Sequence, residues 1–149
     1  MLSPHFSLEE LTHSDYAKAH GIDNTPPENL GANAVRLAEA LEGVRSILGV
    51  PMAVSSGYRC PELNEAIGGK PTSAHKDFRA ADFLPIGLGI KEAFDKLVSE
   101  SKDFDQIILE RDKQGHEWIH FAIAASGESP REMVLSGTKG GAITRVTHS

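Results

Sequence analysis

Three side chains that could ligate a metal ion stand in the middle and later parts of the sequence. His75 lies in a polar turn, whereas Asp82 and His120 each interrupt an otherwise apolar, strand-like stretch. A buried carboxylate or imidazole in such a stretch is costly unless a partner or a metal compensates for it. Two imidazoles and one carboxylate suit zinc, which catalytic sites hold with three protein ligands and an open position for water. The three residues together predict a catalytic zinc site.

Such a site also needs a base. Zinc lowers the pKa of a bound water to about 7, and a nearby carboxylate can take its proton and pass it to the leaving amine. Glu117, three residues before His120, is the first candidate. On a regular strand the two side chains face opposite sides, so Glu117 serves only if the strand begins near Trp118 or carries a bulge. Glu110, on the preceding predicted strand, and His116 are the alternatives.

Helical patterns occupy the first part of the chain, and strand patterns follow. An apolar stripe over 28–48 predicts the clearest helix. A capping box at 7–10 predicts an earlier helix that buries Phe6, Leu8 and Leu11 and ends before Gly21. Shorter helices are predicted at 62–67 and 90–101, and strands at 51–56, 79–84, 104–110, 117–124, 133–135 and 142–146. This order favours an α+β domain with N-terminal helices packed on one face of a mostly antiparallel sheet.

The composition describes one folded domain over residues 1–149, with 40% apolar and 24% charged residues. The net charge of −6 gives no support to a nucleic-acid partner. Cys60 is the single cysteine, which excludes an intrachain disulfide and a cysteine-based zinc cluster. A nucleophilic role for this residue is the weaker interpretation.

No stretch approaches the roughly 18 apolar residues that span a membrane. The first residues also lack the basic and apolar regions of a secretory signal. We therefore expect no membrane insertion, and a protein made in the cytoplasm that stays there unless another factor releases it.

Several motifs of the sequence match, in type and in order, those of a known protein family. They are Phe6 to Leu11, Ser56-Gly57-Tyr58-Arg59, Asn64 with Gly68-Gly69, Ser73-x-His75 with Ala80-x-Asp82, and Trp118-x-His120. Together they resemble the zinc D-alanyl-D-alanine carboxypeptidases and related peptidoglycan endopeptidases, particularly the compact branch common in bacteriophage lysis modules. The resemblance runs from about residue 6 to 125 and implies a hedgehog/DD-peptidase-like fold. One departure is Phe78, which stands where the family has glycine, so we expect a different loop path there.

The resemblance also implies roles for individual residues. The zinc ligands would be His75, Asp82 and His120. Arg59 would polarise the scissile carbonyl and stabilise the oxyanion. Ser73 would bind substrate or cap its loop, and Trp118 would form a substrate-binding wall. The other histidines, at 5, 13, 20 and 148, are expected to be exposed and uninvolved.

The function implied is zinc-dependent hydrolysis of a peptide bond in peptidoglycan stem peptides or cross-links. The resemblance further implies a monomeric phage-type endolysin, which would reach the host cell wall or periplasm after holin-type release. Two alternatives stay open. One is a D,D-carboxypeptidase that trims terminal D-alanine, and the other is a non-catalytic, zinc-containing component that binds the wall or belongs to the virion.

Overall fold

The computed structural model describes residues 1–138 and 143–145. The helices are α1 Leu8–Thr12, α2 Asp15–His20, α3 Gly31–Leu48, α4 Pro61–Ala66 and α5 Ile90–Glu100. The strands are β1 Met52–Ser56, β2 Ala80–Pro85, β3 Gln106–Arg111, β4 Glu117–Ala122, β5 Met133–Thr138 and β6 Ile143–Arg145. Two 3-10 turns cover Glu28–Leu30 and Ala74–Asp77. Within the described ranges, no helix combines the length and the apolar character that crossing a membrane requires.

The N-terminal region forms two short helices where the capping-box pattern predicted one. Ser7 caps α1 by accepting a hydrogen bond from the backbone N–H of Glu10, as predicted. The chain then becomes extended at 13–14, and the Ser14 side chain caps α2 in the same way. A second side-chain cap therefore starts a new helix inside the predicted one. Leu8, predicted to be buried, is 44% exposed.

The long central helix α3 confirms the apolar stripe read from the sequence. Its buried positions are Ala34, Leu37, Ala38, Leu41, Val44 and Leu48. The 3-10 turn ahead of it accounts for the first three residues of the predicted helix. Gly49 ends the helix in a left-handed conformation with φ of 70°, and its N–H bonds the carbonyl of Arg45.

The strands form one six-stranded sheet in the order β1-β2-β4-β3-β5-β6. Every neighbouring pair is antiparallel except β3 and β5, which are parallel. This confirms the α+β class and the mostly antiparallel sheet. The last predicted strand, 142–146, is present as β6, and its two end positions, 142 and 146, lie outside the described residues.

The two faces of the sheet have different roles. One face packs against the helices through core side chains that alternate along the central strands, namely Ala81, Phe83, Ile107, Leu109, Ile119 and Phe121. The intervening side chains point to the other face. On that face lie Asp82 of β2, Glu110 of β3, and Trp118 and His120 of β4, so the pleat brings polar groups from three adjacent strands together.

Candidate metal centre

The three predicted metal ligands meet at one buried point. Asp82 and His120 are direct cross-strand partners on β2 and β4, and Asp82 Oδ1 lies 2.9 Å from His120 Nδ1. His75, on the 3-10 turn, places Nε2 3.3 Å from the same oxygen. The donor atoms all lie within 4.8 Å of one another, and no residue of the three is more than 8% exposed. The structure therefore assembles the group that the sequence predicted.

The outward nitrogen of each imidazole has its own acceptor. His75 Nδ1 donates to the backbone carbonyl of Gly57 at 2.6 Å, and His120 Nε2 donates to Oε1 of Gln106 at 3.1 Å. The other ring nitrogen of each imidazole faces Asp82, as in the usual outer-shell arrangement of metal-binding histidines, and contact with this carboxylate raises the pKa of His120 despite burial. Burial lowers the pKa of His75 despite the neighbouring carboxylate, which favours the neutral, ligating form.

This arrangement fits a zinc ion. Two imidazole nitrogens and a carboxylate oxygen converge. Their lone pairs would repel one another unless a cation or additional protons lay between them. Ligand atoms bound 2.0–2.1 Å from a tetrahedral zinc lie roughly 3.3 Å apart. The distances from Asp82 Oδ1 to the two facing ring nitrogens are 2.9 and 3.3 Å, close to that spacing. His75, Asp82 and His120 could thus hold the ion with little rearrangement.

Arg59 places a fixed positive charge beside the group. Its guanidinium lies 3.3 Å from Oδ2 of Asp82, so this carboxylate faces the histidines with one oxygen and the arginine with the other. Arg59 is only 6% exposed and also donates to Asn64 Oδ1 and Ser56 Oγ. Burial would raise the pKa of Asp82, but its contacts with His75 and His120 outweigh burial and hold that pKa well below its usual range.

We call the three predicted ligands, His75, Asp82 and His120, the metal group. The structure places Glu110 beside the metal group and does not place Glu117 there. Strand β4 begins at Glu117, whose side chain faces away from the group and pairs with Arg111 at 3.7 Å. Glu110 lies directly opposite Trp118 in the β3–β4 register, with Oε1 3.8 Å from Nδ1 of His120. No bulge interrupts the β3–β4 register, so strand parity keeps Glu117 on the wrong face.

A cavity of about 330 Å³ opens beside the group. Asp82, Arg59 and Trp118 line it, together with the run 13–16, which leads into α2 and forms its first turn. Of the three predicted ligands, Asp82 is the one whose side chain lines this cavity.

The chain matches the family model of peptidase M15 over residues 4–122, well over half its length. The chain belongs to the peptidase M15 family. That membership supports a zinc-dependent metallopeptidase and implies a peptidoglycan substrate. No curated protein sequence matches the chain at a significant level.

Two loops carry M15 motif residues that act on the metal group through the backbone. A Cβ at Gly57 would overlap the carbonyl oxygen of Leu11, so only glycine permits this close approach to α1. The neighbouring Tyr58 N–H bonds that same oxygen at 2.7 Å. Ser73 caps the 3-10 turn, and its hydroxyl accepts a hydrogen bond from the His75 N–H at 3.2 Å. Of its two expected roles, the structure supplies the capping contact.

Phe78, which stands where the resembling family has glycine, adopts a left-handed backbone with φ of 58° and ψ of 40°. This residue takes up a conformation that favours glycine, at a cost of roughly 1–2 kcal/mol. Its ring is fully buried and stacks on Tyr58 with ring centroids 5.3 Å apart. Burial of the ring offsets the backbone strain. The expected difference in loop path stays a prediction.

The other histidines that the structure describes are peripheral to the metal group. His116 is exposed at the β3–β4 turn, where it bonds Asp112, and does not reach the group. His5, His13 and His20 are exposed, as expected, although His13 lines the cavity. The position of His148 lies outside the described residues.

Sequence reasoning missed Gln106 and the role of Asn64. Gln106 is two residues before Ile108 and four before Glu110, so one face of β3 carries both polar groups that reach His120. This period-two pattern was readable once β3 was assigned. The bond from Arg59 to Asn64 joins a loop to α4 and had no local signature. Cys60, considered as a nucleophile, instead caps α4 through its sulfur.

Proposed function

We propose that this chain is a zinc-dependent endopeptidase that cleaves a peptide bond in peptidoglycan stem peptides or cross-links. The observation that carries the proposal is the buried convergence of His75, Asp82 and His120 beside an open cavity. A zinc ion held by these three side chains would supply Lewis-acid activation of a water and of the scissile carbonyl.

In this proposal Arg59 stabilises the charge that develops on the scissile carbonyl oxygen. Its position is supported by three contacts, to Asp82, Asn64 and Ser56, which hold the guanidinium in place before substrate arrives. A preorganised cation in a buried site is most effective where charge appears only during the reaction. Burial lowers the pKa of Arg59, yet an arginine stays charged at neutral pH.

Glu110, rather than Glu117, acts as the general base. It would take a proton from the attacking water and deliver it to the leaving amine. Its closeness to His120 and its hydrogen bond from the indole of Trp118 support this role, since both keep the carboxylate on the cavity side of the sheet. Trp118 would then form part of the substrate wall as well as orient the base.

The lining of the cavity favours an endopeptidase over a carboxypeptidase. Enzymes that remove a terminal residue need a cationic or hydrogen-bonding pocket for the free carboxylate of the substrate, and a cation binds it most strongly. Among the described residues that line the cavity, Arg59 is the one arginine or lysine, and Asp82 already engages it. A D,D-carboxypeptidase is the second candidate, because Arg59 could release Asp82 when a carboxylate binds.

The biological setting is proposed from the resemblance of the motifs alone. We propose a monomeric, single-domain lytic enzyme of the phage endolysin type, acting on the host cell wall. A non-catalytic wall-binding or virion component is the competing reading, and it predicts a metal without turnover.

The decisive experiment is digestion of purified Gram-negative peptidoglycan, followed by mass spectrometry of the released fragments. New fragments should appear, vanish with chelator and return with added zinc. The masses of the fragments identify the bond that is cleaved, since loss of a single alanine marks a carboxypeptidase. Zinc bound at one ion per chain without any new fragment would contradict the proposed activity on this substrate.

A further inference from the structure

The run 13–16, which comprises the two residues between α1 and α2 and the first two residues of α2, has no role in the chemistry proposed above. It nevertheless contributes four consecutive residues to the cavity that contains Asp82, Arg59 and Trp118. The run 13–16 therefore lines the same cavity as Asp82, Arg59 and Trp118. A substrate peptide that approaches Asp82 and Arg59 through this cavity would pass that run.

Tyr16 is the largest side chain of that run and is 39% exposed. Its ring stacks on the imidazole of His20, with centroids 3.9 Å apart and an interplanar angle of 13°. His20 Nδ1 in turn donates to the backbone carbonyl of Tyr16 at 2.9 Å, which holds the imidazole in place. The exposed tyrosine is therefore already ordered.

An ordered, exposed aromatic ring is suited to binding. A ligand that covers it gains apolar contact without the cost of freezing a mobile side chain. The flat ring can pack on a peptide plane or on alanine methyl groups, and the phenol can hydrogen-bond a backbone group.

We propose that Tyr16 is a substrate-binding residue, which packs against the substrate peptide at a position away from the scissile bond. This inference rests on the proposed peptidase function. Because Tyr16 touches no reacting atom, it should strengthen ground-state and transition-state binding equally. Its loss should therefore raise KM and leave kcat nearly unchanged.

The test uses the full chain with zinc and a soluble, cross-linked muropeptide dimer as substrate. Tyr16→Ala should raise KM about 5- to 20-fold, with kcat within about 2-fold of wild type. Tyr16→Phe keeps the ring and should restore KM to within about 3-fold of wild type. His20→Ala, which frees the ring without removing it, should have a smaller effect on KM than Tyr16→Ala.

Val35→Ala is the matched control, because Val35 has the same exposed fraction of 39% and lies on α3 outside the cavity lining. It should leave both constants unchanged. An unchanged KM in Tyr16→Ala would overturn the inference. It would also be overturned if kcat fell by as large a factor as KM rose and the melting temperature of the variant fell.

A binding titration separates this inference from the proposed function. The same muropeptide is titrated calorimetrically into Glu110→Gln and into the double variant that also carries Tyr16→Ala. Binding to the double variant that is weaker by about 5- to 20-fold supports the role of Tyr16 even if the wild-type protein cleaves nothing. Equal affinity for the two proteins rejects it, whether or not the wild type is a peptidase.

Discussion

Glu110 and Trp118 face each other across strands β3 and β4, and the indole Nε1 of Trp118 donates a hydrogen bond of 3.2 Å to Oε1 of Glu110. Trp118 is two residues before His120 on β4, so this pair lies next to the Asp82–His120 pair on the same face of the sheet. Glu117, which stands nearer to His120 in sequence, points to the opposite face and contacts Arg111. The carboxylate available to the metal group is thus selected by register and not by proximity along the chain.

Replacing the proposed base tests that selection. Glu110→Gln should reduce kcat about 10²- to 10⁴-fold while one zinc per chain is retained, because general-base catalysis is lost and the ligands are untouched. Activity on muropeptides and metal content by atomic absorption provide the readouts. Glu117→Gln is the matched control and should keep near-wild-type activity. If Glu117→Gln lost activity and Glu110→Gln kept it, Glu117 would be the general base.

Loss of a ligand should remove both the metal and its stabilising effect. A metal that binds only the folded state at 1,000 times its dissociation constant stabilises a chain of this size by about 4 kcal/mol, or on the order of 10 °C in melting temperature. Chelation should lower the wild-type melting temperature by this amount. His120→Ala should bind no zinc, and chelator should not change its melting temperature. A wild-type protein that is insensitive to chelator would argue against a metal at this group.

The contact of Gly57 with α1 makes that position intolerant of a side chain. Gly57→Ala would drive a methyl group into the Leu11 carbonyl, displacing the loop that orients His75 and carries Arg59. We expect a loss of about 1–3 kcal/mol in unfolding free energy and a marked fall in activity. Gly43 lies within α3, where no atom of the described residues, apart from the backbone of the helix itself, approaches the position of an added Cβ. Gly43→Ala should instead raise the unfolding free energy by about 0.5–1 kcal/mol, as measured by urea denaturation. Equal stability of the two variants would show that the loop can move away.

Phe78 offers a test of backbone strain. Removing the buried ring destabilises both Phe78→Ala and Phe78→Gly by several kcal/mol. Glycine usually costs stability relative to alanine, but the left-handed φ of 58° reverses the order here. Phe78→Gly should therefore be more stable than Phe78→Ala by about 0.5–1 kcal/mol in parallel denaturant titrations. A more stable alanine variant would mean that the loop relaxes out of this conformation.

The ion pair between Asp105 and Arg131 should make stability depend on pH. Two side-chain hydrogen bonds, of 3.0 and 2.7 Å, from Arg131 hold the pKa of Asp105 below its ordinary value although the residue is buried. A depressed pKa contributes stability above the unfolded-state pKa of about 3.9, and this contribution is lost as pH falls through the lower folded-state pKa.

Asp105→Asn should consequently be less stable than wild type by on the order of 1 kcal/mol at pH 7, a figure reduced because Arg131 is largely exposed. The difference should shrink towards pH 2. Urea titrations at several pH values measure it. Asp95→Asn, which removes an exposed pair with Lys91, should shift stability by less than about 0.5 kcal/mol. A difference that persists unchanged to pH 2 would exclude ionisation of Asp105 as its cause.

The amino-acid sequence by itself singled out the group of His75, Asp82 and His120 and predicted the class of fold. Asp82 and His120 stand in apolar strands where an uncompensated polar group is costly, so local context was enough to single them out. The stripe of α3 was equally local, because a helical period repeats every few residues. These features depend on neighbours within a few positions of the chain.

Only the tertiary structure decided which carboxylate lies beside the group and which residues surround it. The pairing of β3 with β4 placed Glu110 beside His120, and a one-residue change of register would have exchanged the two faces. The second cap at Ser14 divided the first helix and brought Tyr16 to the cavity. The contact of Gly57 with Leu11 joins residues 46 positions apart, and such contacts leave no periodic trace in the sequence because packing in three dimensions alone creates them.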